Sequence, residues 1–237
     1  MGTENRVAVI TGATGGLGRV VTRQMAESGV RLVLVGSQAE KLDALSRELK
    51  QPPEQWIPVA VDLSQVGSAQ KVLDVSLARF GRVDLLLHLV GGWTGGKAVP
   101  EVPVEEVESM LQQHLWTTFY LAKVFGPHMV ANRWGRIVVV SSPSASAPPA
   151  KGLAYSVGKS SQEALMLTLA EELKGTGVTA NILRVRTIDV NHERDQHPSE
   201  KTAAWTTPEE IVSAILYLSS DEAGTVNGAR IPLYGSP

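Results

Sequence analysis

The sequence contains no cysteine. That excludes disulfides and any thiolate metal site, and it permits the cytosol without proving it. Charge of neither sign dominates: the formal net charge is −2, acids and bases are mixed throughout, and no basic stripe is available to nucleic acid. No apolar run approaches the ~20 residues that a membrane-spanning helix requires. The opening MGTENRVAVI lacks the layout of a secretory signal. Repeats and low-complexity tracts are absent too. These absences leave a cytoplasmic protein that meets small molecules, not nucleic acid or membrane, as the expectation.

What is present is a regular alternation. Residues 6–11 (RVAVIT), 31–35 (RLVLV), 56–61 and 83–90 (VDLLLHLV) are short, nearly continuous apolar runs of strand character. Helical stretches follow the first three: one to about Ser28, one over 38–50 with Leu42, Leu45 and Leu49 on one face, and one over 66–80. Apolar strands separated by helices predict a buried parallel sheet. Right-handed crossovers make it doubly wound, with helices on both faces and a ligand crevice at the carboxyl ends of the strands. With 237 residues and 43% hydrophobic content, residues 1–237 are expected to form a single α/β domain.

Two stretches carry chemistry. Residues 11–18 (TGATGGLG) join the first strand to the first helix. Gly12, Gly16 and Gly18 remove side chains where a backbone must turn tightly and approach a pyrophosphate, and the helix start at Gly16 offers N–H groups and a favourable dipole. The second stretch is 135–175. GRIVVVSS (135–142) reads as a strand, Pro143, Pro148, Pro149 and Gly152 break it, and residues 154–174 turn helical, with apolar positions at Leu165, Leu169 and Leu173. Ser142 falls at the carboxyl end of the strand. Tyr155 and Lys159 stand one helical turn apart and share a face. A phenol with a pKa of about 10 exchanges protons poorly at neutral pH. An ammonium beside it is expected to lower that value and make Tyr155 a general acid or base, while Ser142 holds the substrate oxygen. Alone, the pair reads as an ordinary exposed one; the glycine loop gives it weight.

Taken together, these features resemble the short-chain dehydrogenase/reductase family, from Arg6 to about Tyr234. Residues 11–18 match its TGxxxGxG, Asp62-Leu63 its adenine-side aspartate after the third strand, and Ser142, Tyr155 and Lys159 its catalytic serine, tyrosine and lysine. Residues 207–220 look like its late helix and 226–234 like its last strand. The resemblance implies a Rossmann-type fold, an NAD(P) cofactor and hydride transfer to or from a small carbonyl or alcohol substrate. It implies cofactor contacts from Gly12, Thr14, Gly15, Gly16, Leu17 and Gly18 in the loop. Ser37, Asp62 and Leu63 would serve the adenosine side, and Val90, Gly91, Tyr155, Lys159 and Ile188 the nicotinamide side. It also implies a homotetramer or homodimer built on residues 104–130 and 154–174, the latter carrying Met166 and Leu167 off its core face.

Several positions depart from the family pattern. His88-Leu89-Val90-Gly91 stands where the family has Asn-Asn-Ala-Gly, and Val185-Arg186 where it has Pro-Gly. His114 replaces the helix asparagine that positions a relay water; it either serves that relay or packs in the helix. The second strand ends in Gly36-Ser37, without the acid that bonds ribose hydroxyls in NAD-preferring sites. With no carboxylate to repel a 2′-phosphate, NADP is expected over NAD. Residues 91–103 (GGWTGGKAVPEVP) flank the substrate side, where Trp93 either meets substrate or covers the loop. Residues 189–204 correspond to the family's mobile lid; His192, Glu193, Asp195 and His197 fit no standard metal spacing, so no metal is expected. The sequence therefore reads as a carbonyl reductase or secondary-alcohol dehydrogenase. The alternative, which the departures favour, is a dinucleotide-binding sensor or scaffold on the same fold.

Overall fold

The computed structural model describes residues 5–234; residues 1–4, part of the stretch read for a secretory signal, lie outside it. Seven strands form one parallel sheet: β1 (Val7–Thr11), β2 (Arg31–Gly36), β3 (Trp56–Ala60), β4 (Leu85–His88), β5 (Gly135–Ser141), β6 (Val178–Val185) and β7 (Arg230–Leu233). Their order is β3-β2-β1-β4-β5-β6-β7. The chain winds outward from β1 to β3, then crosses back to lay β4 on the other side of β1. The order reverses between β1 and β4, and their carboxyl ends open a crevice there.

The described residues form eight α-helices: α1 (Gly16–Glu27), α2 (Ala39–Glu48), α3 (Ser68–Phe80), α4 (Val104–Leu111), α5 (Thr117–Ala131), α6 (Leu153–Glu172), α7 (Glu193–Gln196) and α8 (Pro208–Leu218). Successive strand residues point to opposite faces. Ala8 and Ile10 of β1 therefore join the layer under α1, α2 and α8, through Val21, Met25, Leu42, Leu45 and Ile215. Val7 and Val9 join the layer under α3, α5 and α6, through Val72, Phe125, Met129 and Met166. No helix among the described residues is long and apolar enough to cross a membrane.

Three local differences from the sequence reading have physical causes. The strand expected over 83–90 shortens to β4. Before it, Asp84 turns its carboxylate to the backbone N–H of Val7 at 2.8 Å and to Arg82 at 2.6 Å. On α6, Met166 is 1% exposed and belongs to the core, so it is not one of the outward apolar positions. Leu165 and Leu169 are; with Phe119 and Gly126 of α5 they line an apolar groove of about 610 Å³. Finally, the helical segment 104–130 is interrupted. A wide π turn, Gln112–Trp116, joins α4 to α5, and the hydroxyls of Thr117 and Thr118 donate to Gln113 O and His114 O, both at 2.6 Å. Such turns redirect side chains by one position, and the one they redirect here is His114.

Candidate active site

The crevice is shaped by missing side chains. Gly12 has φ +69°, and a Cβ there would sit 3.1 Å from the backbone of Leu89 and Val90. A Cβ on Gly18 would lie 2.1 Å from Gly12 O, an overlap with backbone that no rotamer relieves. Both glycines are therefore required for the β1 and β4 loops and the start of α1 to approach one another. Two cavities lie end to end across this point. One, of about 300 Å³, is lined by Gly12, Thr14, Gly15, Ser37, Asp62 and Leu63. The other, of about 490 Å³, is lined by Leu17, Ser142, Tyr155, Lys159 and Ile188. Leu89, Val90 and Gly91 wall both. An elongated ligand with a charged middle at a helix N-terminus fits this shape. Gly16 and Gly18 line neither cavity; a Cβ on Gly16 would meet Val190 at 2.6 Å. Asp62 is held by its own turn, accepting from Ser64 N at 2.9 Å, and hydrogen bonding from Ser64, its side chain first and then its backbone N–H, keeps the carboxyl below the usual range.

Ser142, Tyr155 and Lys159 do meet in one cavity, but Lys159 is committed elsewhere. Its Nζ donates to Val140 O at 2.8 Å and to Gln162 Oε1 at 3.1 Å, and lies 6.0 Å from the centroid of the Tyr155 ring. Gln162 is fixed in turn by Thr118, whose hydroxyl accepts from its Nε2 at 3.0 Å. Burial pushes Lys159 down to about 7, with the Glu163 charge opposing. The expected lowering of the Tyr155 pKa is not what this arrangement gives. Burial raises it, and a hydrogen bond with Ser142 acts the other way. Tyr155 is thus a proton-loaded phenol, with the Ser142 hydroxyl beside it.

The two unexpected histidines are both neutral. His88 Nδ1 lies 2.7 Å from the Thr11 hydroxyl and Nε2 lies 3.1 Å from Thr117 Oγ1. Thr117 already donates to Gln113 O, so it must accept here. The network therefore assigns the proton to His88 Nε2 and leaves Nδ1 to accept from Thr11. Burial, then the Lys159 charge, pushes His88 to about 3. His114 packs its ring between two glycines: a Cβ on Gly91 would be 2.9 Å from its Cε1, and one on Gly158 2.9 Å from its Cδ2. Its Nε2 donates to Gly92 O at 3.1 Å, leaving Nδ1 buried without a partner. Burial, again with Lys159 next, pushes it to about 3. Its ring meets Tyr155 edge to face at 5.6 Å.

The segment after β6 is pinned at several points. Asp189 N donates to Thr206 O at 2.8 Å, and Thr206 N to Thr187 O at 3.0 Å, so the turn that begins at Val185-Arg186 is closed by pairing in place of a Pro-Gly. The Asp189 carboxylate accepts from the backbone N–H groups of Glu193 and Arg194 at 2.8 and 2.9 Å. Arg194 reaches the Glu210 carboxylate of α8 and Trp205 O, which gives it a structural task.

Sequence reasoning passed over Gln162 and Gly158. Gln162 lies one turn beyond Lys159, so helical spacing alone puts it within reach. Gly158 inside a helix signals a close approach, and His114 is what approaches.

The comparisons with known proteins agree with this geometry. Residues 6–201 match the family model described as short chain dehydrogenase. The chain is 30% identical to the 1,6-dihydroxycyclohexa-2,4-diene-1-carboxylate dehydrogenase of Pseudomonas putida, over 98% of this chain and 92% of that protein. It is 28% identical to the D-threitol dehydrogenase of Mycolicibacterium smegmatis, with the same coverage of 98% and 92%. Among solved structures it resembles a short chain dehydrogenase from Bacillus anthracis with a TM-score of 0.87 and 26% identity, covering 98% of this chain and 95% of that one.

Proposed function

Since the chain belongs to the short chain dehydrogenase family, whose members bind nicotinamide dinucleotides, we propose that it interconverts a secondary alcohol and its carbonyl compound, with Tyr155 as the general acid/base. The observation that carries this reading is the single cavity in which Ser142, Tyr155 and Lys159 converge, beyond the glycine loop. The two curated relatives named above are dehydrogenases of diols, which supports an alcohol with a neighbouring hydroxyl as substrate.

The residues fit the cofactor. The 12–18 loop would take the diphosphate, Ser37, Asp62 and Leu63 the adenosine, and Val90, Gly91, Tyr155, Lys159 and Ile188 the nicotinamide half. When bound, the nicotinamide supplies or accepts the hydride. In reduction Tyr155 Oη gives its proton to the substrate oxygen; in oxidation it takes the proton back. Ser142 bonds the same oxygen and orients it. Ser37 is exposed and carries no charge to repel a 2′-phosphate, so NADP is the preferred form. The groove between α5 and α6, together with Phe119 at 40% exposure, favours assembly of two or four chains. The reading takes the 237 residues as one domain acting in the cytoplasm.

A second reading, a dinucleotide sensor without turnover, draws support from the bonding of Lys159 away from the phenol. One experiment separates the two: a panel of carbonyl compounds and diols with both nicotinamide couples, for wild type and Tyr155→Phe. The phenylalanine keeps the ring and removes the proton, so turnover should drop about 10²-fold or more while cofactor binding persists. Equal rates would remove Tyr155 from the chemistry. Tight cofactor binding with no turnover by the wild type would favour the sensor.

A further inference from the structure

Three arginines crowd the carboxyl end of β6 and the start of β7, and among the described residues two of them have a carboxylate. Arg184 holds Glu163 through Nε at 2.9 Å and Nη2 at 2.5 Å, and Arg230 Nε lies 3.5 Å from the same side chain. Arg186 has no hydrogen bond or ion pair among the described residues. Its guanidinium is exposed, stands 5.2 Å from the centroid of the Tyr234 ring, and lines the cavity that holds Ser142 and Tyr155. Among the described residues no Asp or Glu lines that cavity. Its other titratable walls are the neutral His114, the protonated Tyr155 and Lys159, whose pKa falls near neutrality. Arg186 is thus the one permanent charge among the described residues that line it, and none of the described carboxylates pairs with it.

The same cavity also carries an apolar surface. Trp93 is 70% exposed at the mouth of the same cavity. Its loop is nonetheless fixed: Gly92 O accepts from His114 Nε2, Gly96 N donates to Lys151 O at 2.8 Å, and a Cβ on Gly95 would lie 3.0 Å from the indole. An exposed indole on a fixed loop is a surface for a ring or hydrocarbon body. A fork of donors held against an aromatic ring matches a planar anion.

We infer that Arg186 is the specificity residue of this site and that the substrate is a carboxylate-bearing alcohol or ketone, its acid group on Arg186, its body over Trp93 and its reacting oxygen at Ser142 and Tyr155. This rests on the oxidoreductase reading of the same cavity and adds to it a carboxylate on the substrate, so that the pair is a hydroxy acid and its oxo acid. Arg186 acts on binding and takes no part in proton transfer.

The test uses matched pairs: each ring isomer of hydroxycyclohexanecarboxylate and oxocyclohexanecarboxylate, with its uncharged methyl ester. The wild type should prefer acid to ester in kcat/KM by about tenfold to a hundredfold, the range of one charged hydrogen-bonded contact. Arg186→Gln should collapse that ratio toward unity through the KM of the acid, and Arg186→Lys should keep part of it. Equal use of acid and ester by the wild type overturns the inference. So does an Arg186→Gln variant whose lesion lies in the KM of the dinucleotide with the acid-to-ester ratio intact, since Arg186 then serves a cofactor phosphate. If neither these compounds nor the carbonyl compounds and diols of the panel above turn over with either nicotinamide, the oxidoreductase reading fails separately. Calorimetric titration of acid and ester into dinucleotide-saturated protein then decides: binding selective for the acid and dependent on Arg186 supports the anion site, and equal or absent binding of the acid overturns it.

Discussion

Replacing Lys159 by methionine should stabilise the free protein most at low pH, and the pH dependence of that gain can be worked from the structure. The ammonium is buried, with its pKa pushed from the ordinary 10.5 to about 7. Below pH 7 both the folded and unfolded chains carry the proton, and the folded state bears the full penalty of holding it, roughly 5 kcal/mol from a shift of this size. Methionine keeps the length of the stem and removes the charge. It also leaves Val140 O and Gln162 Oε1 without the bonds they accept at 2.8 and 3.1 Å, at about 1–3 kcal/mol each. At pH 6 the variant should therefore range from roughly equal in stability to about 3 kcal/mol more stable. Between about 7 and 10.5 the unfolded chain of the wild type holds a proton that the folded chain has lost, so wild-type stability rises with pH. The advantage of the variant should shrink by about 2 kcal/mol from pH 7 to 9, roughly 4–8 °C in Tm for a chain of this size. Reversible urea unfolding of dinucleotide-free protein, at four pH values and for both proteins, measures it. A gap independent of pH, or one that widens as pH rises, would refute the assignment of a depressed Lys159.

Other expectations are quicker to check. The wild type should bind NADPH more tightly than NADH, and Ser37→Asp should reverse that order by repelling the 2′-phosphate; a wild type that prefers NADH in a fluorescence titration contradicts the reading of Ser37. Leu169→Glu places a charge in the α5–α6 groove and should convert a dimer or tetramer to single chains by light scattering; a wild type that is already a single chain at micromolar concentration removes the proposed assembly. His114 is held near 3 by burial, so the activity of the wild type should show no limb from it between pH 5 and 8, and His114→Asn should give a profile of the same shape. A limb near 6.5 that vanishes in the asparagine variant would mean the imidazole titrates.

The fold was legible because it depends on patterns that survive local change. Apolar runs such as VAVIT and RLVLVG are short and rich in β-branched residues, which marks them as buried strands, and the intervening 3.6-residue period marks the helices that cover them. The glycines were legible for a similar reason: Gly12 and Gly18 occupy positions where backbone meets backbone, and the β1-loop-α1 order announces that meeting. Positions set by pairing across the sheet were harder. The turn after Val185 lacks the expected Pro-Gly, and what closes it is Thr206, far along the chain. The outward face of α6 was misread because Leu165, Met166 and Leu169 are all apolar, and only contact with the sheet tells which of them is inside. His114 was recognisable as a departure, yet its setting required the π turn and two glycines from separate elements, none of which a period of 3.6 reports.

The departure at Tyr155 has the same origin and a chemical consequence. Desolvation is the first cause of the shift at His88, His114, Tyr155 and Lys159 alike. Each shift favours the uncharged form, so the free cavity keeps Tyr155 protonated and Lys159 only marginally charged at neutral pH. The expectation that an ammonium lowers the phenol's pKa assumed a full charge within reach. An anion brought close to Lys159 restores that charge, because an opposite charge within about 4–6 Å favours the ammonium. On the proposed reading, a diphosphate-bearing ligand in the glycine loop and a carboxylate on Arg186 would both bring negative charge toward this cavity. On that reading the tuning of Tyr155 would belong to the liganded protein. In the free one, Lys159 rests on Val140 O and Gln162, and the phenol holds its proton until a ligand makes its transfer useful.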